Sequence, residues 1–527
     1  MAPPSDSSLS FEPLTPTAFL ARAALVHGER TALVDGERRD TYAELWERAR
    51  RQAGALRAAA VAPGDRVAVL SSNSPLLLEA HYGVPLAGAV LVALNIRLPA
   101  SSLAYILDHS EAAVLLCDAA FETTAREAVA AASAPIRVIV EGEEYDGLLA
   151  AAEPLEPAPV DERSPLAINY TSGTTGRPKG AVYHHRGAYL QALAMALHSG
   201  LRSDGVFLWT LPMFHCNGWC FSWAVSAAGA THLLLRTVDP DLIWDLIERE
   251  GVTHFNAAPT VLIALANHPR ADRAAVERPI SVATGGAPPS PALLARLAEL
   301  NIRVTHLYGL TETFGPAVIC EWPAEWDELA AVEQARLKAR QGVANVISQP
   351  IRLLDADGND VPADGETMGE VALRGNNIML GYHRDPEATA AATLAGCFRT
   401  GDLGVLHPDG YLELRDRSKD VIISGGENIS SVEVEQAIEE HAAVLEAAVV
   451  AAPDERWGER PAAYVVLKPG AELEGEELIA HVRGLIATFK APRDVHFVEE
   501  LPKTSTGKVQ KYVLREREWQ GTDRRIG

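Results

Sequence analysis

The segment from Tyr170 to Gly180 combines glycines, hydroxyls and a lysine in a way that suits phosphate binding. It reads Tyr-Thr-Ser-Gly-Thr-Thr-Gly-Arg-Pro-Lys-Gly and follows an apolar, strand-like run. Glycines let the backbone turn and approach a ligand closely, while consecutive backbone amides can surround phosphate oxygens. The loop is not a Walker A loop, because no Gly-x-x-x-x-Gly-Lys-Ser/Thr pattern fits. We expect a phosphate-binding loop between a strand and a helix over residues 184–196.

A second candidate, Tyr308-Gly-Leu-Thr-Glu-Thr313, directly follows another strand-like run. In parallel α/β sheets, ligands bind beyond the carboxyl ends of the strands. There Tyr308 could lie against a base and Thr311 could bond a phosphate. Glu312 could hold Mg²⁺, which prefers carboxylates shared with phosphate oxygens. The hexapeptide therefore predicts a nucleotide site with a metal.

Three shorter motifs lie towards the C-terminus. Thr400-Gly-Asp402 precedes a charged stretch over 415–420, and its carboxylate could accept both hydroxyls of a ribose. Residues 424–429 read Ser-Gly-Gly-Glu-Asn-Ile, and residues 502–508 read Pro-Lys-Thr-Ser-Thr-Gly-Lys. Taken alone, each of these segments is typical of an ordinary turn or a solvated loop.

Strand-like and helical patterns alternate over most of the first four hundred residues. Thr41 and Glu44 form a capping box that predicts a helix start. From about residue 351, short strands with Asp-Gly turns indicate a small antiparallel β unit. After Arg417 the pattern predicts a compact α+β unit. The expected fold is therefore α/β: a large N-terminal domain of parallel, helix-covered sheets with a small β unit, and a small α+β C-terminal domain.

Composition and charge exclude several classes of protein. Of 527 residues, 47% are hydrophobic and 22% are charged, which is ordinary for a globular protein. The formal net charge of −23 argues against nucleic acid or an anionic membrane as a partner, because both need a basic face. From residue 483 onward, ten Lys and Arg outnumber six Asp and Glu. Because the overall charge is negative, any anionic ligand must be held by local donors.

Neither a membrane span nor a targeting segment is recognisable in the sequence. The longest nearly apolar run, 82–94, is too short to cross a bilayer. The first ten residues lack the basic and apolar regions of a signal peptide, and the final Arg-Ile-Gly differs from a peroxisomal address. Five scattered cysteines do not suggest a disulfide framework. We expect a cytoplasmic enzyme.

Together and in this order, the five motifs resemble those of the adenylate-forming superfamily, which includes acyl- and aryl-CoA synthetases, peptide-synthetase adenylation domains and luciferases. Residues 211–219, Leu-Pro-Met-Phe-His-Cys-Asn-Gly-Trp, resemble fatty-acyl and related carboxylate–CoA ligases. The resemblance implies that a carboxylate attacks the α-phosphate of ATP, giving acyl-AMP and pyrophosphate. The thiol of coenzyme A then displaces AMP. ATP, Mg²⁺ and coenzyme A are the implied cofactors.

The resemblance also implies a role for each matching residue. Lys508 is expected to bridge the carboxylate and the α-phosphate, which Thr311 also contacts. Glu312 is expected to hold Mg²⁺, and His215 to form a gate between the acyl pocket and the thiol channel. The implied ATP- and AMP-binding residues are Thr171 (also near the metal), Ser172, Gly173, Thr174, Thr175, Gly176, Lys179, Gly286, Ala287, Tyr308, Gly309, Thr311, Asp402 and Arg417. The implied acyl pocket consists of His215, Asn217, Trp219, Gly285, Gly286, Gly309, Phe314, Gly315 and Pro316, and the coenzyme A channel of Ser424, Gly425 and Gly426.

The same resemblance implies two domains that move relative to each other. Residues 1–416 form the adenylation domain, with a β subdomain at about 350–416. Residues 417–419, with Lys419, form a hinge, and residues 420–527 form the mobile C-terminal domain. Rotation about the hinge would withdraw Lys508 after adenylation and bring the turn at 424–426 to the active site.

Several alternatives stay open on the sequence alone. The acyl acceptor could be coenzyme A, the phosphopantetheine of a carrier protein, or an amine. A nucleotide-binding regulator without catalysis would be expected to lack Lys508 or Glu312, and both are present. The predicted pocket residues are mostly small or apolar, which favours a short- or medium-chain or aryl acid. A homodimer is also open, since dimers are common in families that the chain resembles.

Overall fold

Two helix-covered β-sheets form most of the chain. The computed structural model describes residues 11–171, 177–272, 276–285, 291–417, 420–425, 427–454, 456–504 and 508–520. The strand Val90–Ala93, in the middle of one sheet, is apolar and buried at every position. Continuous burial of this kind is expected for parallel strands with helices on either side. The fold class predicted from the sequence, α/β with a smaller C-terminal unit, is confirmed.

The larger sheet has nine strands and is parallel in its centre. In spatial order its strands are Val343–Ala344, Gly315–Ile319, Ile302–Leu310, Ile280–Gly285, His254–Ala257, Val206–Leu208, Thr231–Leu233, Thr31–Asp35 and Arg38–Thr41. The pairs at the two edges are antiparallel.

The second sheet has seven strands, of which the two at one edge are antiparallel. In spatial order its strands are Gly381–Tyr382, Gly180–His184, Pro165–Tyr170, Val90–Ala93, Arg66–Leu70, Ala112–Cys117 and Arg137–Val140. The largest apolar cluster joins the two sheets, since it includes Leu33 of the first, Leu91 of the second and helix residues such as Leu77 and Phe221.

Two smaller antiparallel assemblies follow along the chain. The first is a β unit made of Arg352–Leu354, Gly369–Leu373, Cys397–Leu406, Thr393–Leu394 and Leu412–Arg417. The second is a C-terminal sheet made of Glu427–Ile429, Ile422–Ser424, Gly458–Leu467, Val444–Asp454 and the parallel strand Asp494–Phe497. Two strands of only two residues extend existing sheets. Gly381–Tyr382 lies at the edge of the seven-stranded sheet, and Thr393–Leu394 lies at the edge of the β unit.

Helices cover the sheets and separate their strands. In the N-terminal part they are Thr17–His27, Tyr42–Ala58, Pro75–Leu86, Ala100–Ser110, Glu122–Ala131, Glu143–Ala151, His185–Ser199, Phe221–Ala228, Pro240–Glu250, Pro259–Ala266, Pro291–Glu299, Ala331–Ala339 and Pro386–Ala391. In the C-terminal part they are Ser431–Glu439, Gly475–Leu485 and Lys511–Glu518. Short 3₁₀ turns occur at Ala119–Phe121, Thr311–Thr313, Ala324–Glu328 and Thr488–Lys490. Among the described residues, no helix is both long and apolar enough to cross a membrane.

The helix Tyr42–Ala58 shows how a local signal in the sequence fixes an element. The Thr41 hydroxyl accepts a hydrogen bond from the Glu44 backbone N–H, and the Glu44 carboxylate accepts one from the Thr41 N–H at 2.7 Å. These two bonds satisfy donors that the first turn of a helix leaves free. The predicted capping box is confirmed.

The strand Gly180–His184 differs from the sequence prediction. It runs antiparallel to Pro165–Tyr170, with Tyr170 opposite Gly180, so the candidate phosphate loop closes a β-hairpin. The helix His185–Ser199 begins only after this strand. The helix predicted over residues 184–196 is therefore present, but the strand before it was not predicted; Val182 and the aromatic residue after it favour an extended backbone.

The C-terminal unit contains a carboxyl cluster that makes its stability depend on pH. Burial and the neighbouring Glu435 carboxylate raise the pKa of Glu439 from 4.5 to about 8. Lys511 pairs with Glu435 at 2.7 Å and only partly offsets this repulsion. In the unfolded chain Glu439 loses its proton near its ordinary pKa, whereas the folded domain holds that proton until about pH 8. Stability therefore falls as pH rises through this window.

We expect Glu439→Gln to remove this part of the pH dependence. The variant should melt at a higher temperature than the wild type above about pH 8, where the wild-type carboxylate is charged, and should differ little near pH 5. Thermal unfolding followed across this pH range checks the expectation. Glu440→Gln, at the exposed neighbouring position, is the matched control and should follow the wild type. Parallel pH profiles for Glu439→Gln and the wild type would contradict the assignment.

Candidate active site

Several of the predicted site residues lie around one cleft at the ends of the two large sheets. Thr171 directly follows the strand Pro165–Tyr170, and Thr311 begins the turn after Ile302–Leu310. Thr171, Thr311 and His215 line one small cavity together with Cys216. The structure thus brings together residues from three segments that are far apart in the sequence.

Asp402 lies at the centre of a buried polar group in this cleft. The Tyr308 hydroxyl donates to Asp402 Oδ2 at 2.6 Å, and Arg417 Nε lies 3.0 Å from Asp402 Oδ1. Antiparallel pairing of the strands Cys397–Leu406 and Leu412–Arg417 sets Asp402 directly opposite Arg417. Burial and the Asp402 carboxylate raise the pKa of Tyr308 well above its ordinary value, so its hydroxyl stays a donor. The arrangement could present a fixed carboxylate to a ribose and an aromatic ring to a base.

Lys508 reaches the same cleft from the C-terminal unit. Its loop is closed by a hydrogen bond from the Thr504 backbone N–H to the Lys508 carbonyl at 2.7 Å. Desolvation by the walls of the cleft, and to a smaller extent the Arg417 charge, lower the pKa of the Lys508 ammonium to about 8. The Asp402 carboxylate opposes that shift. The side chain nevertheless keeps contact with solvent, because it lies in an open cleft rather than in the core.

His215 shares this environment with Lys508. Burial and the charge of Lys508 lower the pKa of the imidazole to about 4, so His215 is neutral at pH 7. A neutral ring at this point can separate two channels without adding a charge to either. The interaction also places the predicted gate in the N-terminal part beside the predicted lysine of the C-terminal part.

Glu312, the predicted Mg²⁺ ligand, is held by a tyrosine from another segment. Its Oε1 atom accepts a hydrogen bond from the Tyr382 hydroxyl at 2.8 Å. Thr171 lines the small cavity that Thr311, the residue before Glu312, also lines, and hydroxyl and carboxylate oxygens are hard donors of the kind that Mg²⁺ prefers. Tyr382 is absent from the predicted site, because it lies 70 residues from Glu312 and no motif marks it.

A left-handed turn over residues 216–220 supports the gate. Cys216, Asn217, Trp219 and Cys220 all have positive φ, between 45° and 65°, as does the glycine between them. Left-handed backbone costs about 1–2 kcal/mol at each residue other than glycine, so the turn needs external support. The sequence analysis of the motif at 211–219 did not predict this left-handed turn.

Buried amide and imidazole groups supply that support. Asn169 Nδ2 donates to Asn217 Oδ1 at 2.8 Å, and the Asn217 N–H donates to Asn169 Oδ1 at 3.0 Å. Asn217 Nδ2 donates to His81 Nε2 at 3.0 Å. His81 must carry its proton on Nδ1, because that atom lies 2.7 Å from the Leu77 carbonyl oxygen, which can only accept. Asn169 and His81 are functional candidates that no sequence motif indicates.

Trp219 occupies the region predicted for the acyl group. A Cβ atom added to Gly285 would lie 3.2 Å from Trp219 Cη2, and one added to Gly315 would lie 3.1 Å from the Trp219 Cα atom. Both glycines therefore provide space that the tryptophan uses. Gly309 pairs with Pro316 across the adjoining strands. These small residues lie around Trp219 as expected of a narrow pocket.

Two other residues predicted to line the acyl pocket are fully buried. Phe314 stacks on Tyr183 with ring centroids 3.8 Å apart and also contacts Trp223, so its ring belongs to the core behind the pocket. Asn217 is fully buried by the hydrogen bonds that hold the left-handed turn. The pocket roles of Phe314 and Asn217 stay predictions, and Trp219 is the side chain that lies beside Gly285.

The predicted coenzyme A turn lies in the C-terminal sheet. Ser424 ends the strand Ile422–Ser424, and the Gly425 N–H donates to the Trp457 carbonyl at 2.8 Å. Gly425 has a φ of 63°, and a Cβ atom there would lie 2.5 Å from the Trp457 ring. The tryptophan therefore packs directly on the turn. Its side chain remains exposed and was not part of the predicted site.

Nine residues of the predicted site lie outside the described residues. They are Ser172, Gly173, Thr174, Thr175 and Gly176 of the phosphate loop, Gly286 and Ala287 of the adenine loop, the hinge residue Lys419, and Gly426.

Comparison with known proteins identifies the family to which this site belongs. The sequence profile of the AMP-binding enzyme family matches residues 20–383, and that of the AMP-binding enzyme C-terminal domain matches residues 433–508. Together these matches include most of the site residues described above.

Curated relatives match nearly the full chain. A peroxisomal acetate/butyrate–CoA ligase of Arabidopsis thaliana is 43% identical over 539 residues, covering 96% of this chain and 95% of the relative. A 2-methylpropanoate–CoA ligase of Humulus lupulus is 44% identical over 532 residues, covering 96% and 95%.

Solved structures agree with this relationship. ATP-bound MatB from Rhodopseudomonas palustris has a TM-score of 0.84 at 29% identity and covers 96% of this chain and 99% of its own. A benzoate–CoA ligase from Burkholderia xenovorans also has a TM-score of 0.84, at 28% identity, and covers 95% and 99%. The chain belongs to the AMP-binding enzyme family, and it is an ATP-dependent carboxylate–CoA ligase that forms AMP.

Proposed function

We propose that this ligase activates short-chain aliphatic acids, and that the position of Trp219 is the observation that carries this specificity. Its indole fills the space beside Gly285 and Gly315, and on this proposal only a small acyl group fits next to it. The enclosing residues are apolar or small, so an acid with a second charged group would find no partner there. Relatives named for acetate, butyrate and 2-methylpropanoate support the same size class.

The roles of the cleft residues follow from the charge that must be neutralised. A carboxylate is a poor electrophile, and its attack on ATP concentrates negative charge at the α-phosphate. Lys508 supplies positive charge to the carboxylate and this phosphate, and Thr311 supplies a hydroxyl. Asp402 accepts the ribose hydroxyls, and Tyr308 lies against adenine.

The other anionic groups are bound at the edges of the cleft. Lys179 and the loop before it hold the distal phosphates, and Glu312 with Thr171 would hold Mg²⁺. The metal would supply Lewis-acid neutralisation of the phosphates when it is bound. His215 then separates the acyl pocket from the route of the coenzyme A thiol past Ser424 and its turn.

The remaining parts of the proposal concern domains and cellular context. The chain acts as two domains, residues 1–416 and 420–527, about a hinge at 417–419. Lys508 serves only the first half-reaction, so the C-terminal domain must rotate to withdraw it before the second. The cytoplasmic location expected from the sequence stays a prediction, since the Arabidopsis relative is named as peroxisomal. A carrier-protein partner and a homodimer also stay predictions.

A panel of acids tests the proposed function. ATP–pyrophosphate exchange should be strongest with acids of about two to five carbons, and should fall with each further methylene, because a closed pocket discriminates each one by about tenfold or more. Benzoate and cinnamate should support little exchange. Adding coenzyme A should convert the adenylate to free acyl-CoA. A preference for octanoate or an aryl acid would overturn the short-chain proposal.

We expect the Trp219→Ala variant to accept acids with longer chains than the wild type does. Removing the indole opens the region beside Gly285, so kcat/KM for hexanoate or octanoate should rise relative to butyrate by about tenfold or more. Trp223→Phe is the control, since Trp223 packs on Phe314 in the core and should affect stability without changing the preference. Equal ratios in Trp219→Ala and the wild type would show that another residue limits chain length.

Lys508→Ala should separate the two half-reactions. Loss of a charge aimed at the developing anion typically costs about 100-fold or more, so ATP–pyrophosphate exchange should fall by that amount. Thioester formation from synthetic acyl-AMP and coenzyme A should stay near the wild-type rate. Lys503→Ala is the control, because Lys503 lies on the same loop but forms an ion pair with Glu446 at 2.7 Å and is not a predicted site residue. Full exchange activity in Lys508→Ala would disprove the assignment.

The pKa of Lys508 also predicts the pH profile of the exchange reaction. Below about pH 8 the lysine is protonated and active, and above it the charge is lost. In the free enzyme kcat/KM should therefore decline above that value, by about tenfold per pH unit. Lys508→Arg should lack this decline over the same range, because an arginine stays protonated. An identical decline in both proteins would assign the ionisation to another group.

A further inference from the structure

One short segment is bound to both the phosphate-loop hairpin and the turn that carries Glu312. The Met379 N–H donates to the Glu312 carbonyl oxygen at 2.9 Å. Four residues later, the His383 N–H donates to the carbonyl of Gly180, which follows Lys179, at 2.7 Å. The strand Gly381–Tyr382 between them pairs with Gly180–His184. The backbone of this segment therefore fixes the distance between the two motifs.

The Tyr382 side chain touches the functional groups of both motifs. Its hydroxyl donates to Glu312 Oε1 at 2.8 Å, and the Lys179 ammonium nitrogen lies 5.0 Å from the centre of its ring. The ammonium can thus bind the π-face by a cation–π interaction. The Tyr382 N–H is itself held by the Thr389 hydroxyl at 2.9 Å.

We propose that Tyr382 is a positioning residue that couples the binding of ATP phosphates to the binding of Mg²⁺. The ring positions Lys179 for the phosphates, and the hydroxyl restrains the Glu312 carboxylate for the metal. This inference rests on the proposed roles of Lys179 and Glu312. A tyrosine that only filled space could be replaced by phenylalanine without consequence, whereas a positioning tyrosine could not.

Calorimetric titration of ATP with and without Mg²⁺ tests this coupling in the full-length chain. The measured quantity is the ratio of the ATP Kd in EDTA to the ATP Kd in excess Mg²⁺. Tyr382→Phe keeps the ring and loses the bond to a charged group, so the ratio should fall by about fivefold to tenfold while the Kd in EDTA stays near the wild-type value. Tyr382→Leu should in addition raise the Kd in EDTA, because Lys179 loses its support.

Repeating the titration in a Glu312→Gln variant makes the test specific. In Glu312→Gln the metal-binding carboxylate is gone, so adding Tyr382→Phe should change the ratio little further. Tyr411→Phe is the matched control: its hydroxyl donates to the Glu321 carbonyl at 3.0 Å, away from both motifs, and its ratio should equal that of the wild type.

Different failures would overturn different statements. An unchanged ratio in Tyr382→Phe, in a wild type that binds ATP more tightly with Mg²⁺, overturns the coupling role and leaves the proposed function intact. An equal effect of Tyr382→Phe with and without the Glu312 carboxylate also overturns it. If Mg²⁺ does not tighten ATP binding to the wild type, both the metal assignment and the inference are wrong.

Discussion

The reaction brings a carboxylate and a triphosphate into one cleft, and this concentration of negative charge is the constraint on which the rest of the structure depends. The chain carries a net charge of −23, so its overall field opposes both ligands. On the proposed roles, the compensating charge is local and comes from separate parts of the chain: Lys179 after the predicted phosphate loop, Arg417 on the β unit and Lys508 on a C-terminal loop. Because a charge in contact acts through a low dielectric while distant surface charges are screened, a few enclosed cations outweigh many exposed carboxylates.

Those cations are useful only if the groups around them are fixed before the substrates arrive. Asp402 is fixed by Tyr308 on one side and Arg417 on the other. The left-handed turn after His215 is strained, and the buried bonds of Asn217 hold it in place. Strain of this kind persists where the surroundings over-determine the backbone. Its result is that Trp219 and His215 are presented from a rigid support, which suits a pocket that must discriminate by size.

The sequence predicted the fold and the identity of the family because both depend on local signals. The capping box at Thr41 and the apolar runs of the central strands involve residues close together in the chain. The motifs predicted Tyr308, Asp402 and Arg417 as one site, and the structure does place these three in contact. The supporting residues give no such signal, since Asn169 and His81 reach Asn217 across 48 and 136 residues. Their types, an amide and an imidazole on apolar elements, equally suit an ordinary core, and only the folded contacts show what they hold.

The lowered pKa of Lys508 connects the charge constraint to the two half-reactions. The cleft by itself disfavours the charged lysine, through partial desolvation by its walls and through Arg417. ATP offsets this cost, because its phosphates add the negative charge that the cleft lacks, so nucleotide and lysine stabilise each other in place. Loss of pyrophosphate removes most of that negative charge and with it most of the compensation. On the proposed rotation, the ammonium group would then return to water, where a charged lysine is most stable. If Lys508 has the proposed role in adenylation, the partial desolvation and the Arg417 charge that lower its pKa also weaken its hold on the cleft once adenylation is complete.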